Sequence, residues 1–367
     1  MLKKLIAFII CFFLFPAPCR AFYVSSKACI VLCADTNQVL YGENQHKKMG
    51  MASTTKIMTA IVALEYGNTT DIVTISQNAA RQEGSSVYLK PGDKVVLSDL
   101  LYALMLNSGN DAAMAIAEHI SNSPEEFAVL MNEKATELGC HNTNFKNPSG
   151  LPEDDHYSTA YDMALIMSYA MKNDEFARIV GTKEYQIKST DSVTYLRNHN
   201  KLLWQYPDCI GGKTGFTKTA GRCFVSCAKK DEVTLVAVTL DAPDDWNDHK
   251  TLLDFGFEKA EMTPILAQNE ILCTRRIRGT RLNILAGDDI SIPLKNGRKH
   301  RITIKINLDE AINGNINYGT HLGTGEIYVG DFLSGAVSLI SGQSIQGAMQ
   351  NAFSDAFGIV LRNVLLK

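Results

Sequence analysis

The sequence predicts an α/β fold of the α+β type. It would be an antiparallel sheet made from both ends of one domain and covered by helices, then a small all-β domain and a C-terminal amphipathic helix. Three observations predict it. Helical patterns are grouped mid-chain, β runs flank them on both sides, and the texture turns to alternation near Ala267. At 367 residues the chain suits two domains. Hydrophobic content of 46% with 20% charged residues is that of a soluble globular protein. A formal net charge of -3 leaves no basic surplus to neutralise phosphates, which argues against a nucleic-acid partner.

Residues 1–21 have the pattern of an export signal. Lys3 and Lys4 precede the apolar run Leu5 to Phe15, and Cys19-Arg20-Ala21 supplies a small-residue cleavage site. The run is well short of the ~20 residues that span a bilayer. Pro18 disfavours lipidation at Cys19, so cleavage is expected after Ala21, with the mature chain outside the cytoplasm. Seven cysteines remain (29, 33, 140, 209, 223, 227, 273). Cys29/Cys33 and Cys223/Cys227 are four apart on expected strands, about 13 Å, which is too far for a disulfide. With no C-x-x-C and no H-E-x-x-H, buried free thiols are expected, and no metal or cofactor.

The catalytic-domain boundaries expected are 22–266. Ala28 to Ala34 and Gln38 to Tyr41 form two strands around Asp35-Thr-Asn. A helix runs from Thr54 to about Tyr66, entered through Ser53. Another starts at Asp99 with Ser98 as N-cap. Ser123 and Glu126 make a capping box around Pro124. Ser158 would cap a helix from Thr159 to Met171. Two β runs, Cys223 to Ala228 and Val233 to Leu240, precede a helix from Trp246 to Phe255.

From 267 to 345 the chain alternates, as in Arg301-Ile-Thr-Ile-Lys-Ile-Asn307, and forms the small β domain. In the last segment, 346–367, Met349, Phe353, Ala356, Phe357, Val360 and Val364 fall on one helical stripe. Its polar residues exclude spanning but allow a helix lying in a membrane interface; packing on the β domain is the alternative.

Three short motifs in fixed order carry the chemistry: Ser53-Thr-Thr-Lys56, Ser108-Gly-Asn110 and Lys213-Thr-Gly215. Each alone is weak; about one or two S-x-x-K matches occur by chance in such a chain. Together they supply a nucleophile with a base, a second hydroxyl with an amide, and a cationic strand with a glycine. Ser53 and Lys56, three apart at a helix start, share one face, and the helix dipole favours a developing alkoxide. Burial of Lys56 beside a second cation, Lys213, would make it a base. Ser108 could relay a proton and Asn110 could hold an amide. A strand opened by Lys213, Thr214 and Gly215 could dock a peptide ending in a carboxylate, with Gly215 allowing close approach.

Around these motifs the chain resembles the low-molecular-mass D-alanyl-D-alanine carboxypeptidases of the penicillin-binding protein 5 type. The resemblance runs from about Ala28 to the C-terminus. It is carried by Ala52-Ser-Thr-Thr-Lys-Ile-Met-Thr-Ala60, Leu106-Asn-Ser-Gly-Asn-Asp-Ala112, Asn147-Pro-Ser-Gly-Leu-Pro152, Tyr157-Ser-Thr-Ala-Tyr-Asp-Met-Ala164, Asn198-His-Asn-Lys-Leu-Leu203 and Gly212-Lys-Thr-Gly-Phe-Thr217. It implies a β-lactamase-like catalytic domain, a small β domain and a membrane-anchoring helix on the outer face of the cytoplasmic membrane. It also implies Ser53 as acylated nucleophile, Lys56 as base, Ser108 as relay and Asn110 as substrate ligand. Lys213 and Thr214 would hold the carboxylate, and the N–H groups of Ser53 and Phe216 would form the oxyanion hole. The substrate implied is a peptidoglycan stem peptide ending in D-Ala-D-Ala, and β-lactams would acylate Ser53.

Two departures stand out. Phe216 occupies a position where some members have histidine. Ala242-Pro-Asp-Asp-Trp-Asn247 lacks the arginine that some place near the carboxylate site. A class A β-lactamase is the nearest rival, but Glu153-Asp-Asp-His-Tyr157 does not supply its E-x-x-L-N segment. An inactive wall-binding homologue is the rival of another class.

Overall fold

The structure, a computed structural model, describes residues 22–121, 123–190, 193–277, 280–299, 301–309, 315–345 and 362–363. The expected signal segment lies outside them. Strands β1 (Ala28–Cys33) and β2 (Gln38–Glu43) open the chain, followed by a 3₁₀ turn (Ala52–Thr55) and helix α1 (Lys56–Tyr66). A short hairpin, β3 (Ile72–Thr74) with β4 (Lys94–Val96), encloses α2 (Gln77–Ala80). Helices α3 (Leu97–Leu106), α4 (Asn110–Ile120), α5 (Pro124–Glu137), α6 (Ala160–Ala170) and α7 (Asp174–Gly181) build the helical layer. A second hairpin, β5 (Glu184–Lys188) with β6 (Val193–Arg197), and α8 (Leu202–Gln205) lead to β7 (Cys209–Thr217). Then come β8 (Gly221–Lys230), β9 (Val233–Leu240) and α9 (Asp245–Lys259).

These strands form one antiparallel sheet in the order β2-β1-β9-β8-β7, so chain start and chain end do meet in it. Both faces are covered, which explains why the central strands read as unbroken apolar runs. Ile30, Leu32, Val225, Val236 and Val238 face the helical layer. Val31, Phe224, Leu235 and Ala237 face the other way, packed with Leu252 and Leu253 of α9. β7 is the outer strand, leaving one backbone edge without a strand neighbour. All seven described cysteines are free, and all but Cys273 are buried.

Several element ends differ from the sequence reading. The helix expected from Asp99 starts at Leu97, and Ser98 makes no cap; Val96 occupies the N-cap with no side-chain bond. Leu97 is fully buried, and its pull into the core sets the start. For α6 the cap is Thr159, whose Oγ1 accepts from the Asp162 N–H (3.0 Å). Ser158 bonds Thr143 instead (2.8 Å). The Ser123 cap holds, accepting from the Glu126 N–H (3.1 Å). Lys213 does not open its strand, which begins at Cys209.

The β unit begins with β10 (Ala260–Leu266), seven residues ahead of the expected boundary, because this strand pairs with β13 (Ile290–Lys295). Strands β11 (Ile271–Ile277), β12 (Thr280–Ala286), β14 (Ile302–Leu308), β15 (His321–Val329) and β16 (Phe332–Ser341) form its main sheet around Leu282, Ile304 and Leu339. Lys295 ties the unit to β2, donating from Nζ to the Val39 carbonyl (2.9 Å). The expected C-terminal helix lies outside the described residues. The exception is β17 (Arg362–Asn363), which is strand and pairs with β14.

His249 of α9 is sealed between helix and sheet, bonded to Ser226 Oγ (2.6 Å) and Thr239 Oγ1 (3.0 Å). Burial pushes its pKa from 6.5 to about 3. A folded pKa below the unfolded one means stability is present above 6.5 and lost as pH falls towards 3. His249→Gln is therefore expected to flatten the pH dependence of the unfolding free energy, measured by urea denaturation between pH 6.5 and 4, by up to about 1.4 kcal/mol per pH unit. Parallel wild-type and variant curves would contradict this.

Candidate active site

The site is assembled where the 3₁₀ turn, the α3–α4 junction, the loop 147–156 and the outer strand β7 converge. The turn is closed by Thr54, whose Oγ1 donates to the Met51 carbonyl (2.7 Å). Ala52 sits in the left-handed region (φ 48°) immediately before Ser53. Because residues i and i+3 eclipse in a 3₁₀ turn, Ser53 and Lys56 come to one side. Ser53 therefore does not act as a helix N-cap; its hydroxyl lies 3.0 Å from Lys56 Nζ.

Lys56 is fully buried. Its Nζ also donates to Asn110 Oδ1 (2.7 Å) and to the Ser149 carbonyl (2.6 Å). Neither of those oxygens can donate in return. A neutral amine has two N–H groups and one lone pair, so the two oxygens take both N–H groups and the lone pair is left for the Ser53 hydroxyl. Burial favours the neutral form, and the charge of Lys213 pushes the same way, so the Lys56 pKa lies well below 10.5.

Ser108 is held in the left-handed region (φ 62°) between α3 and α4, which turns its hydroxyl towards β7. Lys213 Nζ donates to Ser108 Oγ (3.0 Å) and to the Thr214 carbonyl (2.7 Å). Lys213 is buried too, and burial lowers its pKa to about 7. Asn110, expected as a substrate ligand, is committed at both ends of its amide. Oδ1 serves Lys56, and Nδ2 donates to the Glu83 carbonyl. As it stands it positions the lysine, and contact with substrate would displace one of these bonds.

Two glycines permit the close approaches. A Cβ on Gly215 would lie 2.8 Å from the Ser53 nitrogen, so only glycine lets β7 run against the turn. Gly150 has φ of 85°, and a Cβ there would lie 2.0 Å from the Ala52 carbonyl oxygen. Asn147 shapes the same loop, Oδ1 accepting from the Gly150 N–H (2.8 Å).

Residues outside the three motifs complete the support. Asp111 is buried, and its carboxylate accepts from the N–H groups of Val87 and Leu89 and from Ser86 Oγ (2.6 Å), fixing the loop beside Ser85. His156 Nδ1 accepts from the Lys146 N–H (3.0 Å), which leaves the proton on Nε2 for Thr55 Oγ1 (2.9 Å). Burial lowers the His156 pKa to about 4. Asp111 lies within a segment singled out by the resemblance and His156 immediately before another, but no spacing rule marked either one.

Ser53, Ser108, Thr214, Gly215 and Phe216 line a cleft of about 1070 Å³, much larger than a dipeptide needs. Its far walls carry Arg197, His199, Trp204, Arg222 and Trp246. The motif residues are thus brought together, with the two lysines behind the cleft wall and Ser53, Ser108 and Thr214 in front.

A model of D-alanyl-D-alanine carboxypeptidases matches residues 17–244, and one of the penicillin-binding protein 5 C-terminal domain matches 261–346. The chain belongs to the D-alanyl-D-alanine carboxypeptidase family. D-alanyl-D-alanine carboxypeptidase DacF of Bacillus subtilis is 36% identical over 312 residues, 82% of this chain and 80% of that protein. DacC of Escherichia coli is 32% identical over 309 residues, 78% of this chain and 76% of its own. Among solved structures, the Streptomyces K15 DD-transpeptidase has a TM-score of 0.62 at 35% identity, covering 64% of this chain and 98% of its own. A Mycobacterium tuberculosis D-alanyl-D-alanine carboxypeptidase gives 0.62 at 33% identity, covering 66% and 93%. As a member of this family, the chain is a serine-type D-Ala-D-Ala carboxypeptidase of the penicillin-binding class.

Gly150→Ala is expected to destabilise the protein by roughly 1–3 kcal/mol or more, since positive φ and contact with Ala52 both oppose a side chain. Urea denaturation checks it; an unchanged midpoint would mean the loop does not bear on the nucleophile turn as drawn.

Proposed function

We propose that the chain removes the terminal D-alanine from peptidoglycan stem peptides through an ester on Ser53, with Lys56 as general base. The observation that supports this best is the Lys56 amine, with both N–H groups held by carbonyl oxygens and its remaining direction set on the Ser53 hydroxyl. Ser53 passes its proton to Lys56 Nζ as Oγ attacks the D-Ala-D-Ala carbonyl. The N–H groups of Ser53 and Phe216 stabilise the oxyanion. Because Lys213 donates to Ser108 Oγ, the Ser108 hydroxyl proton is free to pass to the leaving amine. As D-alanine departs, the proton held on Lys56 replaces the one Ser108 has given up, which restores the neutral amine; Lys56 then deprotonates the water that hydrolyses the ester, and the proton returns to Ser53. Thr214 and Gly215 present the strand along which the peptide extends. β-Lactams would acylate the same serine.

Glu153, the carboxylate nearest to a β-lactamase deacylating residue in sequence, is exposed and accepts from Asn147 Nδ2 (3.1 Å). This favours a lasting β-lactam adduct over rapid turnover. We also propose export through residues 1–21 and attachment to the outer membrane surface through the apolar stripe of 346–367. Among the described residues no helix is long and apolar enough to cross a membrane. The pairing of Arg362–Asn363 with β14 is the competing arrangement, in which the tail packs on its own β unit.

Intact mass and peptide mapping after incubation with a penicillin are expected to show one adduct on the Ser53 peptide, absent from Ser53→Ala. An adduct elsewhere, or none on folded protein, would refute the assignment. Lys56→Ala should slow acylation by roughly 10²–10⁴-fold. Replacing Lys213 by methionine removes a charge that holds the Lys56 pKa down. The acid limb of the acylation–pH profile should then move to higher pH, and a shift to lower pH would contradict the coupling. Truncation after Ser344 should release the protein from membranes while sparing cleavage of soluble peptide; a truncated protein that stays bound would refute the anchor.

A further inference from the structure

A peptide with a terminal carboxylate needs a cation at the cleft, and neither motif lysine meets that need fully. Lys213 lies behind the wall, committed to Ser108 and to the Thr214 carbonyl. Its burial also lowers its pKa to about 7, so near neutrality it is charged only part of the time. The stretch 242–247 contributes no cation.

Arg222 of β8 has the right position. It pairs with Phe216, while Thr214 pairs with Phe224 two residues further along β8. Directly paired residues share a face, so Arg222 is the diagonal neighbour of Thr214, roughly 7–8 Å away and within reach of a long side chain. Its guanidinium is held from behind: Nη2 bonds Asp245 Oδ1 (3.0 Å) and lies 2.9 Å from Oδ2. Asp245 is itself buried at the first turn of α9. Trp246 lies under the guanidinium at 6.0 Å. Among the described residues, Nε and Nη1 have no hydrogen-bond partner, so Asp245 fixes the guanidinium through Nη2 alone and leaves its remaining N–H groups for a second carboxylate.

The other cations of the cleft are less well fixed. Arg197 is on the β5–β6 hairpin, 73% exposed, 3.8 Å from the equally exposed Glu184, and it stacks on Trp204. Lys201 is exposed and has no carboxylate clamp among the described residues.

We propose that Arg222, held by Asp245, supplies the guanidinium that receives the substrate's terminal carboxylate beside Thr214. The proposal rests on the carboxypeptidase reading above. Two N–H groups of a guanidinium match a carboxylate, and such a contact rewards a free C-terminus over a capped one. Arg222 would thereby restrict the enzyme to chain ends.

The test compares kcat/KM for a peptide ending in D-Ala-D-Ala with that for the same peptide carrying a C-terminal carboxamide. Wild type, Arg222→Gln, Arg222→Lys and Arg197→Gln are assayed. Arg222→Gln should lower kcat/KM on the acid by roughly 10- to 100-fold, largely through KM, and barely change the amide, so the acid-to-amide ratio collapses. Arg222→Lys should recover part of the ratio, and Arg197→Gln should keep it. Equal losses on both peptides in Arg222→Gln, an unchanged ratio, or a collapse in Arg197→Gln instead would overturn the proposal. Wild-type protein that cleaves neither peptide would overturn the carboxypeptidase reading, and this proposal with it.

Discussion

The burial of Lys56 against two carbonyl oxygens is the constraint on which the rest of the site depends. An ammonium in that position would lack water, and its neighbouring cation Lys213 would oppose it. Asn110 Oδ1 and the Ser149 carbonyl accept two N–H groups, and burial beside Lys213 favours losing the third proton, which turns the lone pair to the Ser53 hydroxyl. Much of the surrounding architecture holds these acceptors in place. Asn110 is tied to Glu83, Asn147 shapes the loop that carries Ser149, and His156 steadies the turn through Thr55.

The fold contributes by placing three distant segments at one sheet edge. β7 brings Lys213 to the helical side and leaves Thr214 and Phe216 to the cleft, because neighbouring residues on a strand face opposite ways. Two left-handed residues frame the site: Ala52 immediately before Ser53, and Ser108, whose hydroxyl accepts from Lys213. Such conformations cost of order 1–3 kcal/mol each and persist where packing imposes them. Ala52 is pinned by Gly150 and Gly215, and Ser108 by its bond to Lys213.

Much of this was legible in the sequence. The motif residues Ser53, Lys56, Ser108, Asn110 and Lys213 do converge, and the split sheet follows from strands at both ends of the domain. Caps were less legible, because Ser158 and Thr159 are adjacent hydroxyls and only packing decides which one faces the Asp162 N–H. The start of α3 was missed for a similar reason: Ser98 looks like a cap, while burial of Leu97 fixes the helix earlier. Asn110 was read from its side-chain chemistry, which is the same whether it meets substrate or lysine. Arg222 left no signal, since its importance comes from a diagonal across two strands and a carboxylate 23 residues away.

The central claim is that burial and Lys213 lower the Lys56 pKa well below the ordinary lysine range, so that its amine can take the Ser53 proton. Its most direct test is an NMR titration of protein carrying ¹³C at lysine Cε, with Lys56→Met and Lys213→Met spectra for assignment. The Lys56 resonance is expected to pass to its neutral form well below the ordinary 10.5. A Lys56 signal that stays cationic up to that value would contradict the account, and Ser53 would need a different base.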